Sequence, residues 1–256
     1  MTIYLDYQAT TPLAPEAFAA MRPWFETQFA NPHSSHAMGR AAKAAVEVAR
    51  DQVAALMPPG GRVYFTSGAT EALNWAIKGS VSPGQRIILP DTEHAAVRDT
   101  ALHMATLGCD VALARVDADG LVESPAYEQP AALMAAMLVN NEIGVIQPVD
   151  DLAARAHAHG ALFLCDGVQG FGRMAMPAGA DMIAVSAHKI HGPKGIGALW
   201  VRDGVALEPL LHGGGQEGGL RSGTLSPALC AGFGAAAVLA KARMAEDAAH
   251  VSALWD

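Results

Sequence analysis

A lysine between an apolar run and a glycine-rich turn is the residue of this sequence best suited to covalent chemistry. Lys189 follows the apolar residues 182–185 and precedes the turn Gly192-Pro193-Lys194-Gly195. A lysine at the mouth of a dry crevice has a lowered pKa, which frees its amine to form a Schiff base with a carbonyl compound. A solvated lysine at the end of a strand is the plainer alternative. The covalent interpretation therefore depends on other groups that converge on the same place.

Three further segments could bind the parts of a phosphorylated heteroaromatic ring. The turn 66–72 has small residues between a strand and a helix, so that its backbone N–H groups and the helix dipole could hold a phosphate. Asp166 ends an apolar run, where a buried carboxylate needs a cationic or N–H partner, and His94 could stack on a flat ring. The alternatives are a capping box with Ser67 or Thr70 as the N-cap, an Asp166 that caps a turn, and a capping or core histidine.

Short apolar runs alternate with helical patterns over most of the chain, which is typical of an α/β fold. The predicted strands are Val63–Thr66, Arg86–Leu89, Val111–Val116, Met137–Asn140, Leu162–Cys165, Met182–Val185 and Ala198–Val201. The predicted helices are Pro15–Phe29, Met38–Met57, Thr70–Lys78, Ala95–Ala105, Val149–His159 and a long one from Pro227 towards Trp255. Several strands are almost entirely apolar, which indicates a mainly parallel sheet covered by helices on both faces.

The polar residues whose side chains could bind a ligand or take part in catalysis follow five of these apolar runs. They are Ser67 to Thr70, Glu93 with His94, Asn140 with Asn141, Asp166 with Gln169, and Ser186 to Lys189. Ligands bind where the carboxyl ends of parallel strands meet, so we expect the five groups to line one crevice. A phosphate-binding turn, a lysine, an aspartate and an aromatic lid together describe a site for pyridoxal 5'-phosphate.

The same residues resemble the cysteine desulfurases, a group of class V aminotransferases among the fold type I pyridoxal phosphate enzymes. The matching segments run in that family's order over nearly the whole chain. They are Tyr4 to Pro12, Asn31 to His36, Thr66 to Asn74, Asn140 to Gly144, Asp166 with Gln169, Ser186 to Gly197, Gly213 to Glu217 and Arg221 to Thr224.

The resemblance implies a role for each matching residue. Lys189 would carry the cofactor, Asp166 would pair with the pyridine nitrogen and His94 would stack on the ring, and these three are the expected catalytic residues. Gln169 would contact the 3' oxygen and Asn141 would lie beside the cofactor and the substrate. The phosphate would be held by Ala69, Thr70, Ser186 and His188. Thr224 would reach the phosphate in the neighbouring subunit, which implies a homodimer.

The resemblance also implies a domain organisation. Residues 1–14 would be an N-terminal segment that packs with a small domain, and residues 15–225 would be the cofactor-binding large domain. Residues 226–256 would be a long helix leading to a C-terminal small domain that the chain does not include, since no glycine cap or proline follows Leu254. In the family, the catalytic cysteine loop and an arginine for the substrate carboxylate lie in that C-terminal segment.

The implied reaction converts L-cysteine to L-alanine and passes the sulfur on as an enzyme persulfide. The acceptor would be a sulfur-carrier or scaffold protein for iron–sulfur cluster or thio-cofactor assembly. Two alternatives stay open: a non-catalytic or split scaffold subunit that binds pyridoxal phosphate, and another class V enzyme such as a selenocysteine lyase. None of Cys109, Cys165 and Cys230 matches the family's catalytic cysteine, and each is expected to be a small buried side chain.

The composition of the chain limits which binding partners and which cellular compartment are expected. The 256 residues carry a formal net charge of −8 and no basic run, which disfavours nucleic acid and anionic membranes as partners. The longest apolar run, Ala228 to Ala240, is short enough to predict a buried helix instead of a membrane span. Three cysteines without CxxC spacing favour a reducing cytoplasm and give no sign of a metal site.

Overall fold

The computed structural model describes residues 3–255, which form a seven-stranded sheet with helices on both faces. The strands are β1 (Gly61–Thr66), β2 (Arg86–Pro90), β3 (Asp110–Ala114), β4 (Leu133–Met137), β5 (Leu162–Asp166), β6 (Met182–Ser186) and β7 (Gly197–Arg202). Six of them confirm the predicted strands to within a few residues. The fourth prediction was wrong in position, because β4 ends at Met137, where the predicted strand 137–140 begins.

The direction of the strands places five strand ends at one edge. The order is β1-β7-β6-β5-β4-β2-β3, and the pairs from β6 to β3 are all parallel. Strand β7 is antiparallel to both of its neighbours, β1 and β6, so β1 runs in the same direction as β6. The carboxyl ends of β1, β2, β4, β5 and β6 therefore lie along one edge. The sheet is mixed, and its parallel majority agrees with the prediction.

The helices are divided between the two faces of the sheet. They are α1 (Pro15–Glu26), α2 (Ala37–Ala54), α3 (Ala69–Ser80), α4 (Ala95–Thr106), α5 (Val149–Ala158) and α6 (Pro227–Trp255). Buried residues of α1, α2, α5 and α6 share one apolar core with alternate strand residues such as Phe163 and Cys165. Helices α3 and α4 form a second core with the intervening residues, such as Leu164. This alternation within one strand explains why the central strands are apolar throughout.

Helix α6 is the one helix in residues 3–255 that is long and apolar enough to cross a membrane, by length and composition alone. Its first half instead packs against α1 and α2. A Cβ atom on Gly232 would stand 2.6 Å from the Met21 side chain, and one on Gly234 would stand 2.9 Å from the Ala49 Cα atom. These two glycines therefore allow the close approach of α6 to the other helices. From Lys241 onward, most of the helix is exposed.

Candidate active site

A cavity of about 670 Å³ lies at the sheet edge where the five strand ends meet. It is lined by residues that follow β1, β4, β5 and β6, by His94 beyond β2, and by the N-terminal segment Gln8 to Thr10. Nine of the ten predicted site residues line this cavity: Ala69, Thr70, His94, Asn141, Asp166, Gln169, Ser186, His188 and Lys189. The tenth, Thr224, is exposed and is not among the lining residues.

The turn between β1 and α3 leaves backbone N–H groups available at the floor of the cavity. The N-cap of α3 is Gly68, which has no side chain to accept from the first turn, so Ser67 and Thr70 are not the N-cap as the capping-box alternative required. A Cβ atom on Gly197 would stand 2.6 Å from the carbonyl carbon of Gly68, so glycine is needed at position 197 for β7 to pass this close to the turn. The Glu71 side chain holds the turn by accepting from the Ser67 N–H at 2.7 Å. The free first turn of a helix is a site for an anion.

Lys189 is the last residue of a short 3₁₀ turn, Ala187–Lys189, that follows β6. Its half-buried side chain lines the cavity, and its Nζ donates to the backbone carbonyl of Gln8. Burial lowers the pKa of the Lys189 amine, the charge of Arg173 adds to the effect, and the carboxylates of Asp166 and Asp6 oppose it. The half-buried position and the bond to Gln8 disfavour the alternative of a solvated lysine at the end of a strand.

Asp166 ends β5 as a buried carboxylate that faces the cavity. Its Oδ1 accepts from the Val168 N–H at 3.0 Å, so the aspartate both caps a turn and lines the cavity. Burial raises the pKa of Asp166, while the Val168 N–H and the charge of Lys189 counteract the rise. No ion-pair partner lies within 4.0 Å of Asp166 in the part of the chain that the structure describes. A cationic ring nitrogen would supply the missing partner.

His94 is a capping residue and also lies at the cavity, where its stacking on a flat ring stays a prediction. It is the N-cap residue of α4, where its Nδ1 accepts from the Ala96 N–H at 3.0 Å, and its ring also lines the cavity. The hydrogen bond fixes the plane of the ring and makes Nδ1 the acceptor, which leaves the proton of a neutral ring on Nε2. A capping histidine can therefore present a fixed ring face to a ligand.

The N-terminal segment forms a side of the cavity that sequence reasoning did not assign to the site. The Gln8 carbonyl accepts from both Lys189 Nζ and Gln169 Nε2, the latter at 3.0 Å. Thr10 Oγ1 lies 3.0 Å from His188 Nδ1, and Thr11 Oγ1 donates to the His188 carbonyl at 2.8 Å. Burial and the nearby lysines lower the pKa of His188, which favours its neutral ring. Only the resemblance of Tyr4 to Pro12 to the family motif signalled this contact.

Comparison with known proteins agrees with this geometry. The aminotransferase class-V family matches residues 3–256. The chain belongs to that family. The cysteine desulfurase IscS of Rickettsia rickettsii (strain Iowa) is 42% identical over 271 residues, which cover 100% of this chain and 66% of that protein. The chain thus spans about two thirds of the length of the curated relatives it matches.

Two solved structures of the family superpose on most of the chain. A NifS-like protein is 35% identical with a TM-score of 0.92, covering 98% of this chain and 72% of that one. A structure described as SspA in complex with cysteine is 38% identical with a TM-score of 0.86, covering 92% of this chain and 72% of that one. The resemblance to cysteine desulfurases and the fold type I class predicted from the sequence are confirmed.

The glycine-rich loop that carries Thr224 is fixed to the body of this class V chain by two ion pairs. The two terminal nitrogens of Arg50 form a bidentate ion pair with the carboxylate oxygens of the buried Glu217, at 2.7 and 2.8 Å. Arg50 also donates to the Val63 carbonyl. Arg221 makes a paired contact with Glu71 at 2.7 and 3.0 Å. Since Glu71 also holds the Ser67 N–H, the second pair connects the loop directly to the anion-binding turn.

The three cysteines of this class V chain lie away from the cavity lining, and all are buried. Burial raises the pKa of each thiol, that of Cys230 to about 12. A reactive cysteine is accessible and has a lowered pKa, so none of these three has the properties of a sulfur nucleophile. This agrees with the prediction that they are small buried side chains.

Proposed function

We propose that the chain is the cofactor-binding part of a pyridoxal phosphate-dependent cysteine desulfurase. The observation that carries the proposal is the convergence of the Lys189 amine, the Asp166 carboxylate and the free first turn of α3 on one cavity. Each group has an ordinary explanation alone. Together, a lysine of lowered pKa can form a Schiff base with the cofactor, and a buried carboxylate that forms no ion pair can hold the protonated ring nitrogen.

The residues of the cavity match the chemical parts of pyridoxal phosphate. The first turn of α3, with Ser186 and the neutral His188, would hold the phosphate through N–H and O–H donors. Asp166 would accept from a protonated ring nitrogen, and the fixed ring of His94 would cover one face of the cofactor. Gln169 and Asn141 would contact the ring oxygen and the substrate.

The chain's own residues would move and hold the protons of the reaction. The lowered pKa of Lys189 makes its amine a suitable base for the Cα proton of a bound amino acid. Asp166 would keep a proton on the ring nitrogen by charge. When bound, the cofactor supplies the electron sink that stabilises the carbanion left by proton removal. Water would be excluded on one side by the N-terminal segment.

The finer parts of the proposal concern the substrate and the partners. Cysteine is the expected substrate because relatives are named cysteine desulfurases and one neighbour is described in complex with cysteine. Sulfur transfer needs a thiolate nucleophile, which we expect from outside Cys109, Cys165 and Cys230 because all three are buried. We further propose a homodimer in which Thr224 reaches the neighbouring site, and a sulfur-acceptor protein in iron–sulfur or thio-cofactor assembly.

Borohydride trapping of the cofactor tests this function. Pyridoxal phosphate should colour the wild-type chain yellow, and reduction should attach it covalently to Lys189, as mass mapping would show. Lys189→Ala should give no adduct. Lys194→Ala is the matched control, because Lys194 also lines the cavity and should leave trapping at Lys189 intact.

Adduct formation in Lys189→Ala would show that the wrong lysine was assigned. The trapped wild-type chain should also exchange no Cα proton, whereas the untrapped chain should exchange the Cα proton of cysteine in deuterated water. A chain that binds the cofactor without exchange would instead be a scaffold subunit.

A further inference from the structure

A second buried acid, Glu93, lies at the edge of the sheet beside the proposed site. It follows β2 and precedes His94, and 5% of its surface is exposed. Its Oε1 accepts from the Met137 N–H at 2.5 Å. Its Oε2 is the one buried side-chain oxygen or nitrogen without a hydrogen-bond partner in residues 3–255. Buried polar atoms are rarely left unpaired, so this oxygen needs an explanation.

Strand register explains why an acceptor is needed at this position. Ile88 of β2 lies opposite Met134 of β4, which puts the last residue of β2, Pro90, opposite Ala136. The Leu138 N–H donates to the Asp166 carbonyl on the β5 side, so the Met137 N–H faces the β2 side, where the strand has ended. Glu93 Oε1 takes the place of the missing strand carbonyl. An uncharged side chain could do this equally well.

The surroundings of Glu93 disfavour a negative charge. Among residues 3–255, no lysine, arginine or histidine forms an ion pair with it. The titratable groups around it are Asp166 and Cys165 of β5, and Tyr127, whose hydroxyl donates to the Ala135 carbonyl. Met137, whose N–H donates to Glu93, is the register partner of Asp166, so the Glu93 carboxyl group is bonded to the strand directly beside the one that carries Asp166. Neighbouring strands lie about 4.8 Å apart.

Asp166 is the better placed of the two acids to carry a charge. It accepts from the Val168 N–H, and the charge of Lys189 favours its ionised form. Glu93 has one N–H donor and no cation. Burial and the charge of Asp166 raise the pKa of Glu93 to about 8. Two buried carboxyl groups that share a site do not both ionise readily.

We infer that Glu93 is a positioning residue held as an uncharged acid, so that the buried negative charge at this edge resides on Asp166 alone. The use of that charge rests on the proposed function, because Asp166 is expected to hold the ring nitrogen of the cofactor. The uncharged state of Glu93 does not depend on any cofactor. Glu93 thereby completes the hydrogen bonding of β4 without competing for the cationic ring nitrogen that Asp166 is expected to hold.

Urea unfolding of the 256-residue chain as a function of pH tests the uncharged state, with Glu93→Gln as the variant. Glutamine keeps the Oε1 acceptor and cannot ionise. The pKa of Glu93 is about 8 in the folded state and an ordinary 4.5 in the unfolded state, so between these values the folded state binds more protons. The contribution of the protonated Glu93 to the free energy of unfolding is therefore complete below pH 4.5 and is lost as the pH rises to about 8. The midpoint urea concentration of wild type should therefore fall relative to that of Glu93→Gln over this range and stay level above it.

Glu217→Gln is the matched control, because Glu217 is an equally buried glutamate that does pair with a cation, Arg50. It should lower the midpoint at neutral pH, whereas Glu93→Gln should not. A difference between wild type and Glu93→Gln that stays constant from pH 4.5 to 8 would overturn the inference, since an acid ionised in both states gives no such slope.

The absorbance of added pyridoxal phosphate tests whether Asp166 alone carries the buried negative charge. Glu93→Gln should leave the pH midpoint of the bound cofactor's spectrum at the wild-type value, and Asp166→Asn should move it. Glu93→Ala, which lacks the acceptor for Met137, should bind less cofactor, with binding restored by glutamine at the same position. A moved midpoint in Glu93→Gln would mean that Glu93 shares the charge. If wild type binds no cofactor, the proposed function fails, and the unfolding series still decides the charge of Glu93.

Discussion

Replacing Arg50 should destabilise the chain more than replacing any exposed arginine, because it isolates a buried carboxylate. The side chains of Arg50 and Glu217 are 8% and 1% exposed. In Arg50→Met, Glu217 would keep one N–H donor, Phe65, at 3.2 Å, and would lose both guanidinium bonds. Removal of one partner from a buried pair costs about 3–5 kcal/mol. Against a typical stability of about 5–15 kcal/mol, this is a large fraction of the total.

A second substitution separates the cost of the isolated charge from the loss of packing. In Arg50→Met with Glu217→Gln, no charge is left buried, and the glutamine oxygen can still accept from the Phe65 N–H. The double variant should therefore be more stable than Arg50→Met alone, by about 2 kcal/mol. The two substitutions should be strongly non-additive, because the side chains are in direct contact.

Equilibrium urea unfolding at neutral pH, followed by circular dichroism, measures these differences as changes in midpoint at constant slope. Arg62→Met is the matched control, since Arg62 is an exposed arginine of the same region, and its loss should change stability by less than about 0.5 kcal/mol. A cost for Arg50→Met below about 1 kcal/mol, or a double variant no more stable than the single one, would refute the argument from charge burial.

Three further predictions concern the chemistry of the cavity. Asp166→Asn should still bind pyridoxal phosphate but should slow exchange of the Cα proton of cysteine about 100-fold, or about 3 kcal/mol on the barrier, and unchanged exchange would remove its assigned role. The rate of covalent attachment of the cofactor to Lys189 should rise with pH and reach half of its maximum below pH 10.5, because the amine has a lowered pKa. A half-maximal rate at or above pH 10.5 would contradict this. The 256-residue chain should release no catalytic sulfide from cysteine under reducing conditions, and neither should its Cys109→Ser, Cys165→Ser and Cys230→Ser variants. Robust release that one of these substitutions abolishes would identify a nucleophile among the buried thiols.

The site residues on strand ends could be predicted because a parallel sheet sends its strand ends to one edge. Lys189 and Asp166 were found in this way, since each follows an apolar run that is buried on both faces. The position of β4 could not be read in the same way. Residues 133–139 are apolar without interruption, so composition does not mark where the strand stops, and pairing with β5 decides that it ends at Met137. Beyond it, Val139 forms only an isolated bridge with Ile146.

The parts of the site that sequence reasoning missed depend on contacts between distant residues. Thr11 and His188 are separated by 177 positions, and no local pattern connects them. Glu93 stood out in the sequence only as a polar neighbour of His94. Its importance comes from the end of β2 and from the proximity of Asp166, which are properties of the folded sheet.

The bonds of Thr10 and Thr11 to the lysine turn also set the order in which the site can be assembled during synthesis. The N-terminal segment leaves the ribosome before its partners His188, Lys189 and His191, which are made almost 180 residues later. At about 5–20 residues per second, this delay is roughly 10–40 seconds. During that time the segment, which includes the apolar residues Ile3 and Leu5, cannot form these hydrogen bonds, because their partners have not yet been synthesised. A cavity with a wall supplied by residues 8–10 is therefore complete only after the turn that carries its lysine has been made.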